Sequence, residues 1–278
     1  MAALAAGATL SFGYYPALAA QLSPKEAFDS YSRLARPGEP LALLGVRSRA
    51  AAYYAGGEGE SFTDVNRAFA WLTEHNEQRR WLLVKADDLP KLNQLYRGQA
   101  GKNLPILDGR SSQILLASNQ LGDHPNESWI SRFILDEPPS PANHLEVMFE
   151  DQLETIGWEV TDKDGKVVPS VVPASGYHLR VYYRVLKPIT GTWKAFVHID
   201  GNQRRFNGDH NVLDGKYAMS LWRAGDIVVD DLDFQLEPNF TPGDYTVYFG
   251  FFAGETRFKV TRGEQQENRV IAGSVHVR

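Results

Sequence analysis

The strongest constraint on this chain is strict alternation in its second half. In Tyr177, Leu179, Val181, Tyr183, Val185, and again in Tyr245, Val247, Phe249, Phe251, every second residue is apolar or aromatic. Only an extended backbone returns side chains to one face every two residues, so each run reads as a strand with one buried face. Turn pairs punctuate the region at Asp164-Gly165, Ser175-Gly176, Asp200-Gly201, Asp214-Gly215, Pro242-Gly243 and Gly254-Glu255. Strands are predicted between them over 145–149, 154–161, 178–186, 193–200, 227–236, 244–253 and 270–277. Short strands at this spacing predict an antiparallel, jelly-roll-like β-sandwich over residues 144–278.

The first half has a different texture. Residues 41–46 and 81–84 are short continuous apolar runs, the pattern of strands covered on both faces. Helical patterns flank and separate them. Ser23, Pro24 and Glu26 supply a cap, a first-turn proline and a capping box for a helix ending before Pro37-Gly38. A short helix is expected over 49–54. Thr63 or Asp64 caps a helix whose Val65, Phe69 and Leu72 share a face. Asp88 caps another that ends at Gly98. Residues 104–107 and 113–117 close the series. Strands alternating with helices predict a small open α/β domain over 23–120. Pro125, Pro138, Pro139 and Pro141 mark 121–143 as a linker. The fold class is thus α+β, multidomain.

Length and charge narrow the function classes. A chain of 278 residues suits two domains. Its net charge of −5 and lack of a Lys/Arg block argue against a nucleic-acid partner. The absence of cysteine excludes disulfides, zinc-thiolate sites and a cysteine nucleophile. Residues 2–20 carry no charge, and the first comes at Lys25. With a span requiring about 20 apolar residues, residues 1–22 read as the end of a membrane helix. Two other readings stay open: a signal-like segment, for which Ala17-Leu18-Ala19 resembles a cleavage site, or a plain N-terminal helix.

No complete catalytic set is legible. The strand at 41–46 runs into Gly45-Val46-Arg47-Ser48-Arg49 without the spaced glycines of a dinucleotide loop, and Gly56-Gly57-Glu58-Gly59 reads as a loose turn. There is no nucleophile elbow. The densest polar cluster is His198, Asp200, Asp209, His210 and Asp214, with Arg204 and Arg205 among them. His198 and Asp200 share a strand face, and these residue types can converge on a divalent cation or on sugar hydroxyls. Asp-rich loops also arise simply because Asp and Gly make turns. The metal candidates are therefore His198, Asp200, Asp209 and His210. Trp222, Tyr217, Trp193 and Tyr182 offer aromatic area suited to stacking on sugar rings, and Arg205 a hydrogen-bonding partner. Aromatic residues in a sandwich also serve as core. Asp231 and Asp233 share a face two residues apart, which would suit a carboxylate-pair hydrolase if a cleft opened there.

Several segments, in their order, resemble the soluble C-terminal region of bacterial polytopic glycosyltransferases of the GT-C superfamily. Those enzymes are relatives of the protein O-mannosyltransferases and lipid A aminoarabinose transferases. Tyr15-Pro16-Ala17-Leu18 and Leu22-Ser23-Pro24-Lys25 look like the exit from a last membrane helix. Gly38-Glu39-Pro40-Leu41-Ala42, Tyr53-Tyr54, Leu82-Leu83-Val84-Lys85, Asp88-Leu89 and Arg110-Ser111-Ser112-Gln113-Ile114-Leu115-Leu116 look like the attached α/β domain. Phe196-Val197-His198-Ile199-Asp200-Gly201, Gly208-Asp209-His210, Ser220-Leu221-Trp222-Arg223-Ala224-Gly225-Asp226 and Pro242-Gly243-Asp244-Tyr245 look like the appended sandwich. The superfamily's catalytic acid sits in the first extracytoplasmic loop, among membrane helices absent from this sequence. The resemblance therefore implies a non-catalytic accessory region at the periplasmic face of the inner membrane. Its partners would be a membrane glycosyltransferase domain and a glycan or polyprenyl-phosphate-linked sugar. No cofactor is implied beyond a divalent cation at the His/Asp cluster. A free-standing secreted carbohydrate-binding protein is the alternative.

Overall fold

The computed structural model describes residues 7, 10–15, 18, 24–46, 60–75 and 77–278. The chain falls into two units, Met1–Ser131 and Arg132–Arg278. Most of 1–22, the Ser23 cap, the helix expected over 49–54 and the turn at 56–59 lie outside the described residues. No described helix is long and apolar enough to cross a membrane.

In the first unit the continuous apolar runs become strands buried on both sides. Strands β1 (Leu41–Leu44), β2 (Glu60–Phe62), β3 (Trp81–Lys85), β4 (Ile106–Asp108) and β5 (Ile114–Ser118) form one sheet in the order β2-β1-β3-β5-β4. β1 runs parallel to β2 and β3, whereas β5 runs antiparallel to β3 and β4. Helix α1 (Lys25–Leu34) buries Ala27 and Phe28 against Leu41, Leu43, Trp81 and Leu83. The opposite parity, Ala42, Leu44, Leu82 and Val84, is buried as well. Helix α2 (Val65–Thr73) begins as expected, Asp64 accepting from the Arg67 amide at 2.9 Å. Helix α3 (Leu89–Ala100) departs from expectation. The Asp88 side chain makes no capping bond, and the helix runs past Gly98 to end at Gly101, whose φ of +69° supplies the left-handed stop.

The predicted linker is absorbed into both units. Asn126 accepts from the Ile106 amide and Ile130 is fully buried, so this stretch packs on the first unit. Beyond it, β6 (Ile134–Leu135) joins the sandwich. Backbone polar groups of a segment lying on protein need partners, and these contacts provide them.

The second unit is two packed sheets. Its strands are β7 (Asn143–Phe149), β8 (Leu153–Thr161), β9 (Ser170–Val171), β10 (Gly176–Val185), β11 (Lys194–Gly201), β12 (Arg204–Asn207), β13 (His210–Asn211), β14 (Ile227–Gln235), β15 (Gly243–Ala253), β16 (Thr256–Arg257), β17 (Val260–Arg262), β18 (Gln265–Gln266) and β19 (Arg269–Val277). One sheet has the order β17-β7-β8-β10-β14-β6 and the other β12-β11-β15-β19-β18. From β10 onward the chain crosses repeatedly between them, and the long pairings are antiparallel. The alternating residues face inward as their period requires. Tyr183 meets Phe251 at 5.3 Å between ring centroids, and Phe149 meets Phe251 at the same distance. The Trp158 indole N–H donates to the Ala272 carbonyl at 2.9 Å, joining one sheet to the other. Burying each such aromatic stabilises the unit by about 1.5–3 kcal/mol, and a good ring pair adds about 0.5–1.5 kcal/mol.

Candidate functional site

Alternation that sends Val197 and Ile199 inward sends Phe196, His198 and Asp200 of β11 outward. Cross-strand register then builds a face around them. His198 lies opposite Tyr248 of β15 and Asn207 of β12; Asp200 lies opposite Thr246 and Arg205. Phe196 lies opposite Gly250, where a Cβ would meet its ring at 2.7 Å. Glycine there lets the phenyl ring lie over the neighbouring strand.

The centre of this face is Asp200. Arg205 donates to it in bidentate fashion, Nε to Oδ1 at 2.7 Å and Nη2 to Oδ2 at 2.5 Å. Arg269 approaches the same carboxylate at 3.6 Å, and its guanidinium lies 4.4 Å from the Tyr248 ring centroid. Hydrogen bonds to the Asp200 carboxylate hold the Arg205 guanidinium above its ordinary pKa. Beside this network a small cleft of about 180 Å³ is lined by Phe196, His198, Asp209, Phe252, Gly254, Glu255 and Arg257. Burial, and then the Arg205 charge, pushes the His198 imidazole below its usual value, against the pull of Asp200 and Asp209. Its Nε2 lies 3.8 Å from Asp209, and its Nδ1 is buried without a protein partner among the described residues.

The face thus combines a carboxylate–guanidinium pair, an imidazole and the half-buried rings of Tyr248 and Phe252. A carboxylate that accepts beside guanidinium groups that donate suits vicinal hydroxyls, and ring faces suit the apolar side of a sugar. His198, Asp200, Asp209 and Arg205 of the sequence reading converge here. The reading missed Tyr248, Arg269 and Phe252. The parity of Tyr248 and Phe252 was available, because Thr246, Tyr248 and Phe252 alternate with the inward Tyr245, Val247, Phe249 and Phe251.

His210 goes elsewhere. Its Nδ1 meets the Gly208 carbonyl at 2.8 Å and its Nε2 meets Asp230 at 2.9 Å. Asp230 points inward and also accepts from the Leu213 amide at 3.1 Å. Burial lowers the His210 pKa, but the Asp230 hydrogen bond and charge more than offset this and leave it raised. Leu213 and Asp214 have φ of +52° and +56°, uncommon for residues with a Cβ, so Asp230 holds a strained turn in place. The four proposed metal ligands therefore do not form one cluster. Asp214 is exposed and pairs with Lys216.

The stacking platform is corrected. Tyr217 is 0% and Trp222 1% exposed. They are packing residues with no ring face to offer. Tyr182 is buried too, donating to Glu159 at 2.6 Å. Trp193 is half-buried and stacks on Phe258 at 4.8 Å.

The other sheet's outer face differs. Asp231 and Asp233 do share it, as the two-residue period requires. Both meet His178, at 3.2 and 2.7 Å, and Arg180 donates its Nε–H to Asp231 at 3.0 Å. This His/Asp/Asp group was not anticipated, since His178 lies over fifty residues away in sequence.

No family model matches the chain, and no curated protein matches it. Among solved structures, the C-terminal domain of Wzt is similar at 16% identity and a TM-score of 0.35, over 52% of this chain and 88% of that one. A Niemann-Pick type C2 protein from the Japanese carpenter ant is similar at 7% identity and a TM-score of 0.30, over 47% of this chain and 99% of that one. Both likenesses are too distant to define a ligand for this chain.

Proposed function

We propose that the sandwich unit is a non-catalytic carbohydrate-binding module whose site is the outer face of β12, β11, β15 and β19. The observation that carries this reading is the Asp200–Arg205–Arg269 network lying beside Tyr248 and the His198 cleft on one open sheet face. Hydroxyl-rich ligands are bound by fixed, planar, bidentate groups that need no reordering, which keeps the entropic cost of binding low. Tyr248 and Phe252 supply apolar area at the same level.

The larger context we propose is the extracytoplasmic accessory region of a membrane glycosyltransferase that uses a polyprenyl-phosphate-linked sugar. It would sit at the periplasmic face of the inner membrane. Its support is the ordered resemblance of the sequence segments. In this role the module holds a glycan or acceptor near a reaction carried out elsewhere.

The test of the site is a glycan array followed by calorimetry on Arg205→Ala and Tyr248→Ala. Binding by the natural protein that weakens at least tenfold in both variants, with unchanged circular dichroism, supports the reading. An empty array, or binding indifferent to both changes, overturns it. For the context, a continuous upstream reading frame encoding many membrane helices supports it. A stop followed by a true signal peptide would identify a free-standing secreted binder instead.

A further inference from the structure

The outer face of the opposite sheet carries a second, separate cluster. β10 lies between β8 and β14, and register places His178 beside Asp233 on one side and Thr161 on the other. Asp231, one pleat further along β14, lies opposite Arg180. The His178 Nδ1 is 2.7 Å from an Asp233 oxygen and 3.2 Å from an Asp231 oxygen, and the three donor atoms lie within 4.8 Å of one another.

We propose that His178, Asp231 and Asp233 form a divalent transition-metal site, open on one side to the cleft beside them. Three observations carry this. First, the spacing is close to what an ion needs: the 3.2 Å between His178 and Asp231 is near it, and the 2.7 Å to Asp233 has to open by a small shift. At bond lengths of about 2.0–2.2 Å, neighbouring donors of a tetrahedron stand about 3.3–3.6 Å apart and those of an octahedron about 2.8–3.1 Å. Asp233 is 86% exposed, so its side chain is free to turn and make that shift. Second, one ligand is already oriented. Arg180 holds the far oxygen of Asp231, leaving Oδ1 directed at His178, the arrangement by which outer groups fix a metal's ligands. Third, the surroundings leave coordination unfilled. Lys163, Tyr177, His178, Asp233 and Gln235 line a cleft of about 450 Å³. Thr161, the register neighbour of His178, is fully buried with its hydroxyl unpartnered among the described residues. One imidazole with two carboxylates favours zinc, manganese or nickel over calcium or magnesium, which prefer all-oxygen shells. Water or a ligand hydroxyl would complete the sphere from the cleft.

The competing reading is an ion-free cluster in which the His178 ring hydrogen-bonds the carboxylates directly. The two are separated by titrating the whole chain, freed of metal by a chelator, with zinc and with cobalt, and magnesium as control. The proposal expects one saturable equivalent of zinc, proton release on binding, and cobalt absorption bands indicating nitrogen and oxygen ligands. It also expects at least a tenfold loss of affinity in Asp233→Asn and loss of the cobalt bands in His178→Ala. Asp233 is so exposed that its amide variant leaves the fold unchanged. The absence of saturable binding, or binding equally strong in both variants because another histidine holds the ion, overturns the proposal.

Discussion

The two outer faces of the sandwich are built by the same rule and end with opposite chemistry. On each, alternation puts every second side chain outward and register chooses its neighbours. On the β11–β15 face the carboxylate at the centre is satisfied by two guanidinium groups, and the aromatics beside it stay partly open. On the β10–β14 face two carboxylates share one imidazole, and only Asp231 has an arginine. Gly157 lies on this second face, where Pro141 and Asn143 cross so closely that a Cβ would clash with the Asn143 carbonyl. The first face thus presents a carboxylate already paired with arginine beside two half-buried rings, and the second presents two carboxylates around one imidazole. Outward parity alone does not decide a surface's function; the charge of the residue across the strand does.

Four changes break or sharpen that comparison. The largest effect is expected from Phe251→Ala, which removes the ring shared by Phe149 and Tyr183 between the sheets. It should cost about 3–5 kcal/mol in denaturant unfolding and abolish function on both faces together. Retention of one face alone would show that the sheets are not one cooperative unit. Next, Asp230→Ala should cost about 3 kcal/mol, because it leaves the Leu213 amide and His210 without their buried acceptor. Urea unfolding measures it, and sugar binding should weaken less than stability.

A smaller effect is a pH slope from the same pair. The folded His210 pKa is raised, so its stabilisation is fully present below the unfolded value near 6.5. It is lost as pH rises through the folded value. Melting temperature should therefore fall from pH 6 to pH 8 in the natural protein, by an increment missing from Asp230→Asn. An identical slope in both would assign the effect to another group. The smallest is expected from Arg205→Ala, whose exposed pair with Asp200 should change stability by less than about 1 kcal/mol. Its effect should appear in ligand binding instead. A large loss of stability would recast the Asp200 network as structural.

Much of the architecture was legible because period and burial are local signals. The runs at Tyr177–Val185 and Tyr245–Phe251 named their own inward residues, and all of them but the half-buried Tyr177 are in the core. The apolar run at 41–46 marked a strand covered on both sides, of which Leu41–Leu44 is the part that pairs. Helix ends were less legible: Asp88 has the right chemistry for a cap but sits in helical geometry, so its side chain makes no such bond. The site was half legible. His198, Asp200 and Arg205 were chosen because they are near in sequence, and they meet because a tight turn joins β11 to β12. His210 is equally near, yet it turns inward to Asp230. Trp222 and Tyr217 were chosen for their chemistry, which is the same in a core as on a surface.

The sequence by itself determined which side of each strand faces the core, where the turns fall and that two textures divide the chain, since these depend on neighbours within a few residues. The tertiary structure alone decided which strands became adjacent. It thereby decided that Arg269 and Tyr248 would complete Asp200, that His178 would meet Asp231 and Asp233, and that Trp222 would be sealed inside. Those pairings join residues far apart in the chain, and they are fixed by sheet register and by the burial of the whole core, which no local pattern encodes.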